Sequence, residues 1–141
     1  MKTKQLLFAM AAIILLSVTA CKKYPEGPAI SLRSKAERVA NNWKVSQAME
    51  NGADVTTDYN RYELDLTKDG HASLSAKYKF LGVDYEYVTN GNWTFTSSKE
   101  KISFDFDNNS ADGVYEILKL KEEEMWLKED GKSLELHFVP R

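Results

Sequence analysis

From Val83 to Phe95 the odd positions read Val83, Tyr85, Tyr87, Thr89, Gly91, Trp93 and Phe95, apolar or aromatic at almost every step. A period of two sustained over such a length places these residues on one face of an extended strand. The reading turns on Asn90-Gly91, a dipeptide that favours a type I′ hairpin. A hairpin there would set Thr89 opposite Asn92, turning Asn92 inward and Trp93 outward. An uninterrupted strand keeps Tyr85, Tyr87, Thr89, Trp93 and Phe95 together, with Gly91 easing a bend or bulge. Parity favours the single long strand, and so predicts a sheet that curls around an aromatic interior.

The flanking segments repeat the period in shorter runs. Trp43, Val45, Gln47 and Met49 alternate with polar neighbours up to Asn51-Gly52, and Tyr62, Leu64 and Leu66 up to Asp69-Gly70. Ala72, Leu74, Ala76, Tyr78 and Phe80 follow, then a turn at Leu81-Gly82. Later runs carry Ile102, Phe104 and Phe106, then Val114 to Leu120, then Met125 and Leu127, then Leu134, Leu136 and Phe138. Within Val114 to Leu120 the parity of Tyr115 and Ile117 disagrees with that of Leu118 and Leu120, which predicts a bulge. No segment is long enough for crossover helices, which excludes parallel α/β folds. The fold class expected is all-β, an eight-stranded antiparallel up-and-down barrel, with a two-sheet sandwich as the rival that hairpin patterns do not separate. Ahead of the strands, Leu32, Ala36, Val39, Ala40 and Trp43 share a helical face, and Ser34 with Glu37 fits a capping box, predicting a short N-terminal helix.

The first 20 residues read differently. A basic start at Lys2 and Lys4, an apolar run from Leu6 to Leu16 and small residues before Cys21 form a secretory signal peptide, too short for an ordinary membrane span. Val18-Thr19-Ala20-Cys21 resembles the lipobox of bacterial lipoproteins, which implies that Cys21 is acylated and becomes the mature N-terminus. The expected organisation is a signal peptide over 1–20, a lipid-anchored tether over 21–30 carrying Pro25, Gly27 and Pro28, and a barrel domain over 31–141. Cys21 is the sole cysteine, so its acylation leaves no thiol for a disulfide, a nucleophile or a Cys-based zinc site. Losing Lys2 and Lys4 takes the formal net charge from −2 to −4, which argues against nucleic acid as a partner.

Taken together, the lipobox, Trp43-Lys44-Val45, Asp69-Gly70, Gly91-Asn92-Trp93 and Leu134-Glu135-Leu136 make the chain resemble the lipocalin-like lipoproteins of bacterial envelopes. Asn41 stands where lipocalins place a Gly ahead of the first Trp. The resemblance implies a calyx-type barrel on the outer membrane and names no ligand.

An eight-stranded barrel either packs its centre with side chains or encloses one small molecule. Tyr62, Tyr78, Tyr85, Tyr87, Trp93 and Phe104 are the residues expected to line a pocket for a small apolar or amphipathic ligand, since buried phenols need hydrogen-bond partners near a wet end. The alternative is a plugged barrel that docks an envelope protein, with Trp126, at outward parity, and the acidic run Glu122-Glu123-Glu124 with Glu129 and Asp130 as its contact surface. His71 and His137 lie on different strands with no further ligands at metal spacing, so no metal or cofactor is expected. No catalytic spacing is present, and the chain reads as a non-enzymatic monomer. Lys22 after Cys21 favours the periplasmic face of the outer membrane over the cell surface.

Overall fold

The protein is described by a computed structural model over residues 32–141, without the side chains of Tyr78, Lys79, Phe80 and Asp84; the signal peptide, Cys21 and the tether lie outside the described residues. The capping box forms as the sequence predicts. Helix α1, Lys35–Val39, starts with the Glu37 N–H donating to Ser34 Oγ at 3.3 Å and the Ser34 N–H donating to Glu37 Oε2 at 2.8 Å. A hydrogen bond from Lys68 Nζ at 2.9 Å, with those from Ser34, holds the Glu37 carboxyl down to about 2. The helix ends beneath Trp43, whose indole N–H donates to the Val39 carbonyl at 2.8 Å. Val39 and Trp43 are fully buried, so α1 plugs the end of the barrel at which the chain enters.

The strands are β1, Asn42–Glu50; β2, Ala53–Asp54; β3, Tyr62–Leu66; β4, His71–Phe80; β5, Val83–Thr96; β6, Lys101–Phe106; β7, Gly113–Leu120; β8, Met125–Glu129; and β9, Glu135–Pro140. Apart from β2, which folds back on the end of β1, each strand pairs antiparallel with the next, and β1 with β9 closes an eight-stranded barrel. Closure removes the sandwich as an alternative. A second helical turn, α2, Thr56–Tyr59, occupies the stretch between β2 and β3 where the sequence shows no period. It is held locally: the Thr56 N–H donates to Asp54 Oδ1 at 2.9 Å, and Thr56 Oγ1 accepts the Ala48 N–H at 3.0 Å.

Two bulges set which side chains face in. The expected one lies at Leu118, between Ile117 and Lys119 of β7. The other, at Ser46, corrects the expected inner face of β1: past Val45 the parity flips, Ala48 is buried, and Gln47 is exposed.

Strand β5 runs through Asn90-Gly91 without a break. Residues 83–92 pair with β4 and residues 91–96 with β6, so β5 changes partner at Gly91. The register is continuous there, and the reason for glycine is close approach: a Cβ on Gly91 would lie 2.1 Å from the Asp105 carbonyl oxygen. Strand β3 pairs with β4 only as far as Ala76, and β6 pairs with β5 only as far as Gly91, so residues 78–88 project past the rim as a two-stranded ribbon. Leu81 and Gly82, at φ 50° and 80°, form its two-residue turn, which matches type I′.

The barrel therefore has two unlike ends. At the closed end α1 meets the loops over 67–70, 97–100 and 121–124, through Glu37 to Lys68, Lys35 Nζ to the Lys99 carbonyl at 3.0 Å, and Arg33 to Glu122 at 3.9 Å. The open end carries residues 51–61, the ribbon, and the loops over 107–112 and 130–134. Replacing Gly91 by Ala is expected to cost about 3 kcal/mol, because the obstructing atom is backbone held in two ladders. Ser34→Ala should cost about 1 kcal/mol through the lost cap. Urea denaturation of the two variants against wild type checks both values.

Candidate functional site

Aromatic side chains converge on the open half of the interior. Strand β3 supplies Tyr62 and Leu64, β6 supplies Phe104 and Phe106, β7 supplies Tyr115, and Ala111, Leu127, Leu136 and Phe138 complete the wall of a cavity of about 10 Å³. That volume holds roughly one water and falls far below the ~300 Å³ at which small-molecule sites begin. Among the described residues, the rings occupy this part of the interior themselves. Phe104 stacks on Phe106 with centroids 5.8 Å apart and meets Tyr115 edge-on at 5.8 Å. Tyr59, brought to the rim by α2, meets Tyr62 edge-on at 5.9 Å. Towards the closed end Trp43, Ile102, Leu120, Met125 and Phe138 are buried almost completely.

The phenols around the cavity are kept neutral by burial. Desolvation pushes Tyr115 up to about 12, helped by the negative charge of Glu129, and pushes Tyr62 higher still, with Tyr115, Tyr59 and Tyr87 as neighbours. The Tyr87 hydroxyl is buried and makes no hydrogen bond among the described residues.

The six residues expected to line a pocket do not form one ring. Tyr62 and Phe104 line the cavity. Tyr87 is half-buried on β5 and near enough to Tyr62 to raise its pKa. Trp93 is elsewhere: its indole N–H donates to the Thr67 carbonyl at 2.8 Å in a closed-end loop, and it packs edge-on against Phe95 at 5.2 Å. Tyr85 stands on the ribbon, 43% exposed, and the Tyr78 backbone pairs with it there. The residues that join Tyr62 and Phe104 are Phe106, Tyr115 and Tyr59. Phe106 and Tyr115 belonged to recognised strands; Tyr59 lay in a stretch without period.

The outer wall also differs from the expectation of an exposed Trp126. That ring sits half-buried in a row across three strands, stacked on His137 with centroids 4.0 Å apart on one side and with Lys119 Nζ 4.0 Å from its centroid. Its N–H donates to Glu124 Oε1 at 3.0 Å, and Lys119 pairs with Glu124 at 3.0 Å. Asp130 pairs with Lys101 at 2.8 Å, and Glu122 with Arg33, so the acidic patch is largely committed within the chain. Apart from Leu32 ahead of α1, the exposed large apolar side chains among the described residues lie on the ribbon, at Leu81 (87%), Val83 (54%), Tyr85 and Val88 (56%).

The buried phenols give a directional expectation for alkaline pH. Their folded pKa values lie above the unfolded value near 10, so their contribution to stability is complete below pH 10 and is lost as pH rises through about 12. Absorbance at 295 nm should show two of the tyrosines ionising only as the fold melts, and Tyr62→Phe with Tyr115→Phe should remove that lag.

No family model and no curated protein matches the sequence. Among solved structures, the chain is similar to a lipocalin-like protein from Bacteroides uniformis ATCC 8492, with a TM-score of 0.59 at 14% identity over 74% of this chain and 99% of that one. It is also similar to a DUF4847 family protein from Bacteroides vulgatus ATCC 8482, with a TM-score of 0.50 at 12% identity over 72% of this chain and 93% of that one. With the closed eight-stranded meander and its short helix, these likenesses establish the fold as a lipocalin-like antiparallel barrel.

Proposed function

We propose that this protein is a lipid-anchored binding module of the bacterial cell envelope, in which a filled lipocalin-like barrel is the scaffold and the open end with its projecting ribbon docks an envelope protein. The observation that carries this reading is the concentration of exposed apolar side chains, Leu81, Val83, Tyr85 and Val88, on one ribbon at the end opposite the entry of the chain. Val83 and Tyr85 share one face of the ribbon, with Leu81 at its turn and Val88 on the opposite face. Apolar side chains gathered on one projecting element mark a contact, where singly scattered ones need no explanation. The lipobox ending at Cys21 supports anchoring to the outer membrane, and Lys22 after it supports the periplasmic face. The small volume of the aromatic-lined cavity among the described residues and the lack of a recognisable catalytic spacing in the sequence support a binding role without turnover. A second reading, a small apolar ligand held at the mouth, draws on the Tyr87 hydroxyl, buried near Tyr62 without a partner.

Cys21→Ser should leave the protein in the soluble fraction and unlabelled by radioactive palmitate, while wild type partitions with membranes. In crosslinked pull-downs, replacing Leu81, Val83 and Val88 together by Ser should reduce partner capture about tenfold with little change in Tm, because none of the three is buried. Trp126→Ala should leave the partner list intact. An unchanged list for the triple variant, together with a stoichiometric small-molecule mass in native mass spectrometry, would replace docking by the ligand reading.

A further inference from the structure

We infer that the outer edge of β5 over residues 84–88 takes an added β-strand from a partner polypeptide, an extended segment in which apolar side chains alternate with lysine or arginine. The inference rests on the docking reading above and names the chemistry of its partner.

The backbone sets the site. The Trp93 N–H donates to the Gly70 carbonyl at 2.7 Å, so odd residues of β5 direct their hydrogen-bonding groups towards β4. Even residues direct theirs the other way, as the Asn90 carbonyl does in accepting the Asp107 N–H at 2.8 Å. Strand β6 stops at Phe106, opposite Gly91, and the chain turns away. Asp84, Glu86 and Val88 thus present N–H and C=O groups along a row that has no neighbouring strand among the described residues. The row spans about 17 Å, the length of an ordinary strand. Exposed edges of this kind are commonly blunted by proline or a bulge, and here the row has no proline and its register with β4 is unbroken.

Charge selects the occupant. A second copy pairing antiparallel through these residues must match even positions with even positions. Centred on Glu86, it sets Glu86 against its own equivalent; centred on Tyr85, it sets Asp84 against Glu86. Both oppose like charges directly. Centred on Tyr87, it would need the Asn90 carbonyl, which Asp107 already holds. An incoming strand with basic residues opposite Asp84 and Glu86 continues a pattern already present, since Lys79 and Lys77 of β4 stand opposite the same two acids and Lys77 Nζ lies 3.7 Å from Glu86 Oε1. Apolar residues of the same segment would meet the side of the ribbon that carries Val83 and Tyr85. A lipid surface is the poorer occupant, because the row carries Asp84 and Glu86, which anionic headgroups repel.

The test uses the mature chain from residue 21 with Cys21→Ser, and a synthetic nonapeptide alternating lysine and valine, capped at both ends. Its controls are a glutamate–valine counterpart and a lysine–valine peptide N-methylated at alternate amides. Fluorescence anisotropy should show the basic peptide binding about tenfold or more tightly than either control, and its binding should slow amide exchange at Glu86 and Val88 by at least about that factor. Glu86→Pro removes an edge donor where proline is tolerated, and should weaken binding about tenfold. Glu86→Lys should weaken the basic peptide and favour the acidic one, so a folding defect in the proline variant does not leave the question open. Binding indifferent to N-methylation and to both variants overturns the inference. So does slowed exchange at Glu86 and Val88 without peptide, which would mean a second copy or the chain's own tether, or the same slowing by phosphatidylglycerol vesicles alone. If the triple ribbon variant loses its partner while Glu86→Pro and Glu86→Lys retain it, strand addition fails and docking stands; if all of them retain it, docking fails as well.

Discussion

The close approach of Gly91 to the Asp105 carbonyl is the contact on which the rest of the barrel depends. A 14-residue strand flanked by β4 and by a six-residue β6 cannot be paired on both sides over its whole length. It must leave one partner and take the other, and the backbones crowd where the two ladders overlap. Glycine lets the crossing happen in register, without a bulge. Two consequences follow from the same geometry. The closed-end half of β5 pairs with β6, is flanked by both neighbours only at the crossing, and carries buried Trp93, while the other half is left with β4 alone and becomes the ribbon. The core and the proposed docking element are therefore two ends of one strand.

The interior follows from ring size. Eight strands enclose just enough room for side chains or for one small ligand. Here Phe104 meets Phe106 and Tyr115 by stacking and edge contacts, and Tyr62 meets Tyr59 edge-on. The cavity walled by Tyr62, Phe104, Phe106 and Tyr115 among the described residues has the room of one water. At the other end Trp43 is covered by Val39 and fixed by the hydrogen bond to its carbonyl, so the helix closes the barrel with apolar contact and one satisfied donor. The ion pairs of the outer wall contribute little singly at such exposure. Their clearer effect is positional: Glu124 holds both Lys119 and the Trp126 indole, which keeps that ring in its row with His137.

Much of this was legible in the chain. Parity across Asn90-Gly91 decided for one strand against a strong local hairpin signal, Ser34 with Glu37 marked the helix start, and the conflict between Ile117 and Leu118 marked a bulge. The Ser46 bulge was hidden, because Gln47 and Met49 made an acceptable inner face and nothing contradicted it. The candidate site was less legible, and for a physical reason. A period of two states which face of the sheet a residue occupies and is silent about its height along the barrel. Tyr85, Tyr87 and Trp93 share parity, yet one stands beyond the rim, one near the mouth and one beside a closed-end loop. Height depends on where β3 and β6 end, which is a property of the neighbouring strands. Tyr59 reached the mouth through a helical turn built on Asp54 and Thr56, local hydrogen bonding that hydropathy patterns do not register.

The same distinction bears on what kind of function such a chain can carry. Side-chain chemistry leaves spacings and motifs, and this sequence carries few beyond the resemblance to a lipobox at Cys21. Recognition through a strand edge is carried by backbone N–H and C=O groups, which every residue except proline supplies, so its trace is a matter of lengths: a strand that outlasts one neighbour and a turn that keeps it straight. Specificity then needs few side chains, here two acids flanked by lysines and a patch of valine, leucine and tyrosine. A filled barrel suits that role, since a packed interior keeps the base of the ribbon rigid and lowers the ordering cost of binding at its edge.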